Sequence, residues 1–207
     1  MISNRAQNVF SETPPLVKAH FLCATDPYNK ESNPSGYINV GTAENFLMDK
    51  ETKDKVLQIN KNQTSFNGHY DHPQGNKEFR QSYSDFLSSY FNIKDMPVDN
   101  ISTLSGASAI LEALSYLIFD EGDEVVSISP LYNGFFHDLE ARFGAKIKLS
   151  HCLDDGKFEI SILEDTIKSC TKLKSILINN PHNPTGHSLD VQDIESIIKL
   201  AKKYNLH

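Results

Sequence analysis

Tryptophan is absent and cysteine is scarce in this chain, which has three cysteines among 207 residues. Cys23, Cys152 and Cys170 lie far apart, without the C-x-x-C spacing of zinc sites and redox centres. An odd number of cysteines does not fit a disulfide framework, so we expect reduced thiols in a cytoplasmic protein. The histidines show no H-x-x-x-H spacing on a predicted helix, and we expect no metal site.

Long hydrophobic runs and basic clusters are also missing. The longest apolar stretches, such as residues 116–119, contain only a few residues, whereas a membrane helix needs about 20. The first residues, Met1 to Gln7, lack the apolar stretch of a secretory signal. Lys+Arg 20 against Asp+Glu 27 gives a net charge of −7. We therefore expect neither a membrane nor nucleic acid as a partner.

The pattern that is present is that of a globular α/β protein. Helical periodicity and β-branched runs alternate after residue 100, which predicts βαβ units in a mostly parallel sheet. Residues 1–36 are expected to form an arm with one short helix, and residues 60–75 a loop. Helices are predicted at residues 46–59, 79–90, 107–118, 134–143, 161–171 and 190–204. Strands are predicted at residues 37–41, 101–104, 125–129, 146–149 and 175–179.

The last predicted helix has recognisable ends. Asp190 suits its N-cap, and Asn205 suits the position after its last turn. Three residues follow Tyr204. A crossover helix leads into a further strand, so we expect the sequence to stop just before a core strand.

Small and hydroxyl side chains mark the start of the helix predicted at residues 107–118. Gly106 lets a ligand approach the backbone, and Ser105 and Ser108 add hydroxyl groups. A helix amino terminus offers free N–H groups and about half a positive charge, which suits a phosphate. The alternatives are an ordinary helix cap and a G-x-S-x-G nucleophile elbow, which Ile110 in the last glycine position disfavours.

Asparagine and proline alternate after the strand predicted at residues 175–179. The bonds to proline keep this backbone out of a helix, and the asparagines lie where open α/β sheets bind ligands. Tyr132 similarly follows the strand at residues 125–129, and an aromatic ring there can stack on a planar ligand. Tyr70 lies in a polar loop; for both tyrosines simple packing is the alternative. The segment reads Asn180-Pro181-His182-Asn183-Pro184-Thr185-Gly186.

These segments together resemble the fold-type I pyridoxal-phosphate enzymes, the aspartate aminotransferase superfamily. Residues 180–186 are similar to its N-P-x-N-P-T-G signature. Residues 33–45, 104–108 and 130–134 resemble 1-aminocyclopropane-1-carboxylate synthases and their synthase-like relatives. The resemblance covers nearly the whole chain but only the amino-terminal half of such an enzyme. It implies a three-layer αβα fold like that of aspartate aminotransferase, truncated within the large domain.

The resemblance implies pyridoxal 5′-phosphate as the cofactor and assigns residues to it. Gly106, Ala107 and Ser108 match the turn that binds the coenzyme phosphate through N–H groups and a hydroxyl. Tyr132 matches the residue that stacks on the pyridine ring. Asn183 matches the residue that hydrogen-bonds the coenzyme 3′-oxygen.

The resemblance also implies an amino-acid substrate and a homodimer. Gly41 and Ala43 lie where the substrate carboxylate docks, and Tyr70 matches a tyrosine that reaches the phosphate of the neighbouring subunit. Cis peptide bonds are implied at Ser129-Pro130 and Asn183-Pro184. Residues 1–60 would form the arm and a small-domain segment, and residues 61–207 the first part of the large coenzyme-binding domain.

The catalytic residues of the family are expected beyond His207. They include the Schiff-base lysine, and no lysine of this chain stands in a matching context, so we expect the chain to be inactive alone. It is either part of a pyridoxal-phosphate-dependent transferase or lyase, or a non-catalytic truncated paralogue that associates with a full-length partner. An unrelated hydrolase or nucleotide-binding domain is disfavoured because the elbow and a G-x-G-x-x-G motif are missing.

Overall fold

The computed structural model describes residues 2–11, 13–62, 69–94 and 96–207. The helices are α1 (Asn4–Phe10), α2 (Pro15–Thr25), α3 (Asp49–Asn62), α4 (Lys77–Phe91), α5 (Ala107–Ile118), α6 (Ala141–Phe143), α7 (Ile160–Ser169) and α8 (Val191–Tyr204). The strands are β1 (Glu124–Ile128), β2 (Lys146–Ser150), β3 (Leu153–Asp154), β4 (Lys157–Phe158) and β5 (Leu173–Leu177). A π-helical stretch, Phe136–Glu140, leads into α6.

The chain divides into two compact units. The first contains residues 1–9 and 103–207, and the second contains residues 10–102. The arm holds two helices, α1 and α2, where we expected one. The domain boundary that we expected after residue 60 concerns the domains of the family, and it stays a prediction.

A parallel three-stranded sheet, in the order β2-β1-β5, forms the centre of the first unit. Val126 of β1 pairs with Lys148 on one side and with Ile176 on the other. All residues of β1 are buried, as its β-branched run predicts for a central parallel strand. From α5 onward the predicted alternation of helices and strands is confirmed, and β5 lies two residues before its expected position.

Helices and loops cover both faces of this sheet, because successive side chains of β1 point to opposite sides. Val126 lies in a core with buried residues of α7 and α8, among them Leu163 and Ile197. Val125 lies in a second core with Phe119 and Leu139. The unit therefore has the expected three layers, with the sheet between the two cores.

Helix α8 begins and ends where the sequence predicts. Asp190 Oδ1 accepts the Asp193 N–H at 2.8 Å, and Asp193 Oδ2 accepts the Asp190 N–H at 3.1 Å, which forms a capping box. Asn205 then adopts a left-handed φ of 54°. Beyond it, the His207 N–H donates to Lys174 O at 3.0 Å, and the Ile176 N–H donates to His207 O at 2.9 Å. These bonds place His207 beside β5, and the strand that we expected to follow α8 stays a prediction.

Two predicted strands are wrong within the described chain. Residues 101–104 are irregular, and the run at residues 37–41 forms only an isolated bridge between Tyr37 and Pro27. Their apolar residues resemble those of strands, but a strand also needs a hydrogen-bonded neighbour along its length. A hairpin of β3 and β4 was not predicted, although its Asp155-Gly156 turn, with φ of 44° and 73°, is a common hairpin turn.

The apolar stripes of α4 and α5 are helical, as predicted, but most of their residues are exposed within the described chain. Phe79 and Tyr90 of α4 are 59% and 78% exposed, and Leu117 of α5 is 76% exposed. The aromatic residues of α4 pack mainly on one another, with ring centroids 4.8 Å apart for Phe86 and Tyr90. Periodicity therefore identified the helices but not the extent of their burial.

Candidate functional site

The carboxyl edge of the sheet carries the two segments that the sequence singled out. Because β1 and β5 are parallel neighbours, their last residues lie at the same edge. Tyr132 follows β1 by four residues and Asn183 follows β5 by six. The Ser127 hydroxyl ties the two strands together near this edge, donating to Leu177 O at 2.9 Å. Open α/β sheets bind ligands at such an edge.

Helix α5 has an uncapped amino terminus. Its N-cap, Gly106, makes no side-chain cap hydrogen bond, so the first N–H groups of the helix, at Ala107 and Ser108, have no acceptor within it. Gly106 has a φ of +87°, and no atom lies within 4 Å of the position that a Cβ would occupy there. A larger residue would be strained at this φ. The backbone is therefore open to a ligand where we expected a phosphate.

The direction of α5 follows from its contacts. The Gly122 N–H, just after α5, donates to Gly144 O at 3.0 Å, and the Lys146 N–H donates to Asp123 O at 2.7 Å. The end of α5 therefore lies beside the amino end of β2. Helix α5 has 12 residues, is about 18 Å long, and also contacts residues 136–140, which follow β1.

The ring of Tyr132 lies over a glycine. A Cβ added to Gly134 would overlap this ring, so glycine makes the ring position possible. Phe135 packs edge-on against Tyr132, with centroids 5.2 Å apart and an interplanar angle of 87°. The ring remains 38% exposed, which leaves part of its surface available to a planar ligand.

Hydrogen bonds hold the segment that carries Asn183 at both ends. Asn179 Oδ1 accepts the Asn183 N–H at 2.7 Å, and Asn180 Oδ1 accepts the Leu189 N–H at 2.9 Å. The Asn183 carboxamide is exposed and makes no hydrogen bond within the described chain. A fixed backbone with an unpaired amide is a suitable donor for a ligand oxygen. The cis bonds expected at Ser129-Pro130 and Asn183-Pro184 are present, as is one at Asn180-Pro181.

Sequence reasoning missed the part that His182 and Thr185 play in this segment. His182 is buried, and its Nδ1 lies 2.8 Å from Thr185 Oγ1. The only indication of this role in the sequence is that His182 lies inside the Asn-Pro motif.

The segment of Gly41 and Ala43 belongs to the second unit and is organised by Asn39. Asn39 Oδ1 accepts the N–H groups of Gly41 at 3.0 Å and Thr42 at 3.2 Å. Asn39 Nδ2 donates to Thr42 Oγ1 at 3.0 Å, and His20 Nδ1 lies 2.9 Å from the same oxygen. The Gly41 N–H is thus already paired. Of the residues expected to dock a carboxylate, Ala43 keeps a backbone N–H without an acceptor in the described chain.

Tyr70, also in the second unit, is fully exposed. In the loop that follows it, the hydrogen bond from Asn76 lowers the pKa of the Asp71 carboxyl, with a smaller contribution from the His72 N–H. Arg80 is buried, and its guanidinium donates to Gly75 O at 3.1 Å and to Val98 O at 2.8 Å. This loop therefore has an ordered base, while the Tyr70 side chain extends into solvent.

Metal chemistry has no candidate centre here: in the described ranges, no group of histidine, cysteine, aspartate and glutamate residues has the arrangement of a metal site. Nor does any described helix combine the length and the apolar character needed to cross a membrane.

The sequence matches the family described as Aminotransferase class I and II over residues 36–207. The chain belongs to this family. Its members are pyridoxal phosphate enzymes. Among curated relatives, 1-aminocyclopropane-1-carboxylate synthase 7 of Arabidopsis thaliana is 29% identical over 88% of this chain and 44% of its own length. A mouse protein named probable inactive 1-aminocyclopropane-1-carboxylate synthase-like protein 2 is 25% identical over 100% of this chain and 38% of its own.

Solved aminotransferases share the fold. An archaeal alanine:glyoxylate aminotransferase superimposes with a TM-score of 0.80 at 21% identity, over 99% of this chain and 50% of its own. Alanine aminotransferase from Pyrococcus furiosus gives 0.76 at 19% identity, over 100% of this chain and 50% of its own. The chain thus spans about half the length of the aminotransferases it superimposes on, and it has the amino-terminal half of their three-layer fold.

Proposed function

We propose that this chain binds pyridoxal 5′-phosphate at the carboxyl edge of its sheet, as the coenzyme-binding half of an aminotransferase or 1-aminocyclopropane-1-carboxylate synthase-like enzyme acting on amino acids. The observation that carries the proposal is the start of α5. It combines an uncapped helix terminus with a glycine at φ +87° that faces open space. A phosphate dianion fits there because it accepts the free N–H groups and is favoured by the helix dipole.

The other residues at this edge suit the pyridine ring. Tyr132 offers a partly exposed ring for stacking, and the free carboxamide of Asn183 can donate to the ring oxygen. When bound, the coenzyme supplies an electron sink for negative charge at the α-carbon of an amino acid. The role of this chain is to bind the phosphate, orient the ring and keep its oxygen hydrogen-bonded.

We assign residues of the second unit to substrate binding and to a contact in the dimer. The Ala43 N–H, which has no acceptor in the described chain, is the donor that we assign to a substrate carboxylate, and Asn39 holds the neighbouring Gly41. Tyr70 is fully exposed, which suits a contact with the coenzyme phosphate of a second subunit in a homodimer. We place the protein in the cytoplasm because its cysteines are free thiols, as is usual in a reducing compartment.

A second candidate is a non-catalytic paralogue that associates with a full-length partner. Every lysine of the chain is exposed, whereas a lysine that reacts with a coenzyme aldehyde is desolvated or lies beside another cation. This observation favours a chain that holds the coenzyme without bonding to it covalently.

Proline at position 107 tests the phosphate contact. Ala107→Pro removes a single N–H at the first position of α5, where proline is tolerated, and Gly106 has a ψ of 162°, which suits a residue before proline. We expect the variant to bind pyridoxal 5′-phosphate about tenfold more weakly, which is the loss of one charge-assisted hydrogen bond. Equilibrium dialysis with the full chain measures this affinity.

Two comparisons complete the experiment. Val191→Pro makes the same change at the first position of α8, on a residue 68% exposed, and should leave coenzyme affinity unchanged. Pyridoxal, which has no phosphate, should bind more weakly than its phosphate and be insensitive to Ala107→Pro. If the unaltered chain bound both compounds equally, the proposed phosphate site would be wrong.

A further inference from the structure

His182 lies in the Asn-Pro segment, beside Asn183. It is only 3% exposed. Its Nδ1 lies 2.8 Å from Thr185 Oγ1, and its Nε2 has no hydrogen-bond partner in the described chain. Burying an imidazole nitrogen without a hydrogen-bond partner is unfavourable. An apolar residue at position 182 would avoid this cost, which points to a role for the bond between His182 Nδ1 and Thr185.

The bonds of His182 close one turn around Asn183. The His182 N–H donates to His187 O at 2.7 Å, and the Gly186 N–H donates to His182 O at 2.7 Å. Thr185 Oγ1 also accepts the His187 N–H at 3.3 Å. Any residue except proline at position 182 can form the two backbone bonds, whereas the side-chain bond to Thr185 requires a polar atom at the position of Nδ1.

We propose that His182 is a positioning residue for Asn183. Its ring fixes Thr185 on the far side of the turn, while Asn179 fixes the Asn183 N–H on the near side at 2.7 Å. Asn183 is thereby held between two anchored points, with its carboxamide free for the ring oxygen of pyridoxal 5′-phosphate. The inference rests on the proposed function and adds a residue that acts through Asn183 without touching the coenzyme.

Three variants of the full chain test the bond. His182→Phe fills the space but removes Nδ1, and Thr185→Val removes the hydroxyl while the buried ring stays. His182→Asn retains a polar atom near the position of Nδ1. We expect H182F and T185V to weaken binding of pyridoxal 5′-phosphate about tenfold, and H182N to stay within about twofold of the unaltered chain. Since Thr185 is exposed, T185V remains informative even where H182F unfolds the loop.

A second background separates positioning from general support of the fold. In an N183A chain, T185V should cause no further loss of affinity, because the group that it misplaces is gone. The position of the visible absorption band of the bound coenzyme should likewise shift with T185V only when Asn183 is present. A purely structural role would lower affinity in both backgrounds.

The outcomes distinguish the two proposals. If the unaltered chain binds the coenzyme but T185V binds it equally well, or loses as much affinity in the N183A background, the role of His182 is wrong and the proposed function stands. If the unaltered chain does not bind pyridoxal 5′-phosphate at all, both proposals are wrong. Non-additive losses together with rescue by H182N support both.

Discussion

Asn183 shows how a single residue can be exposed and yet fixed. Its backbone is tied to Asn179, and its side chain has no partner in the described chain. We predict that Asn183→Ala weakens binding of pyridoxal 5′-phosphate by about 1.5–3 kcal/mol, the usual contribution of a hydrogen bond to a charged oxygen, and shifts the visible band. A spectroscopic titration measures both. Asn60→Ala, an exposed change on α3, is the control. Unchanged affinity and spectrum would remove Asn183 from the site.

Glu124 is a buried carboxylate at the opposite edge of the sheet. Its Oε2 accepts the N–H groups of Lys172 at 2.8 Å and Thr171 at 2.7 Å, and its Oε1 lies 3.3 Å from Lys148 Nζ. The N–H of Lys172 is the main cause of its lowered pKa, with help from Thr171 and Lys148 and against the effect of burial.

We predict that Glu124→Gln lowers the free energy of unfolding at pH 7 by about 1–3 kcal/mol, because a charged acceptor of buried N–H groups is lost. A lowered pKa in the folded state stabilises the fold above the ordinary glutamate value of about 4.3, and this stability is lost as the pH falls through the lower folded value. Urea unfolding from pH 7 to pH 3 should therefore show the two proteins converge in acid. A gap that stays constant with pH would contradict the role of this charge.

At the scale of elements, local signals in the sequence predicted helix ends better than strands. Asp190 and Asn205 identified both ends of α8, because capping depends on residues within a few positions of each other. The strand predicted at residues 101–104 does not form, since pairing depends on a neighbour far away in sequence. The same contrast between local signals and contacts formed only on folding applies to the candidate site. The loops after β1 and β5 were predictable from their prolines and aromatics, whereas the bond between His182 and Thr185 was visible only in the structure.

The N-cap of α8 gives a prediction at this scale. Asp190→Ala removes the acceptor of the Asp193 N–H and half of the capping box, so it should destabilise the chain by about 1 kcal/mol. Thermal or urea denaturation measures the change. Glu195→Ala, an exposed position in the middle of the same helix, removes a carboxylate without touching a cap and should change stability little. Equal losses in the two variants would mean that the capping box does not contribute.

For the molecule as a whole, the chain has a net charge of −7, whereas the site that we propose binds an anion. We therefore expect the attraction to be local, from the N–H groups and dipole of α5 at Gly106 rather than from the overall field. A contact made by backbone groups depends less on pH than one made by a titrating side chain. Backbone N–H groups can bind the phosphate without a reactive lysine. Phosphate binding and covalent attachment of the coenzyme are therefore separate properties of such a chain.

Covalent attachment depends on the lysines of the chain. All of them are exposed, and the carboxylate of Glu164, 2.6 Å from Lys203 Nζ, raises the pKa of Lys203. The raised pKa keeps the Lys203 amine protonated and slow to react with an aldehyde, whereas a lysine that bonds covalently to the coenzyme is desolvated or lies beside another cation. After incubation with pyridoxal 5′-phosphate, borohydride reduction and peptide mapping, we expect scattered, substoichiometric labelling. One lysine labelled in full would show that this half of the fold carries its own covalent site, and the distinction between holding and bonding the coenzyme would then fail.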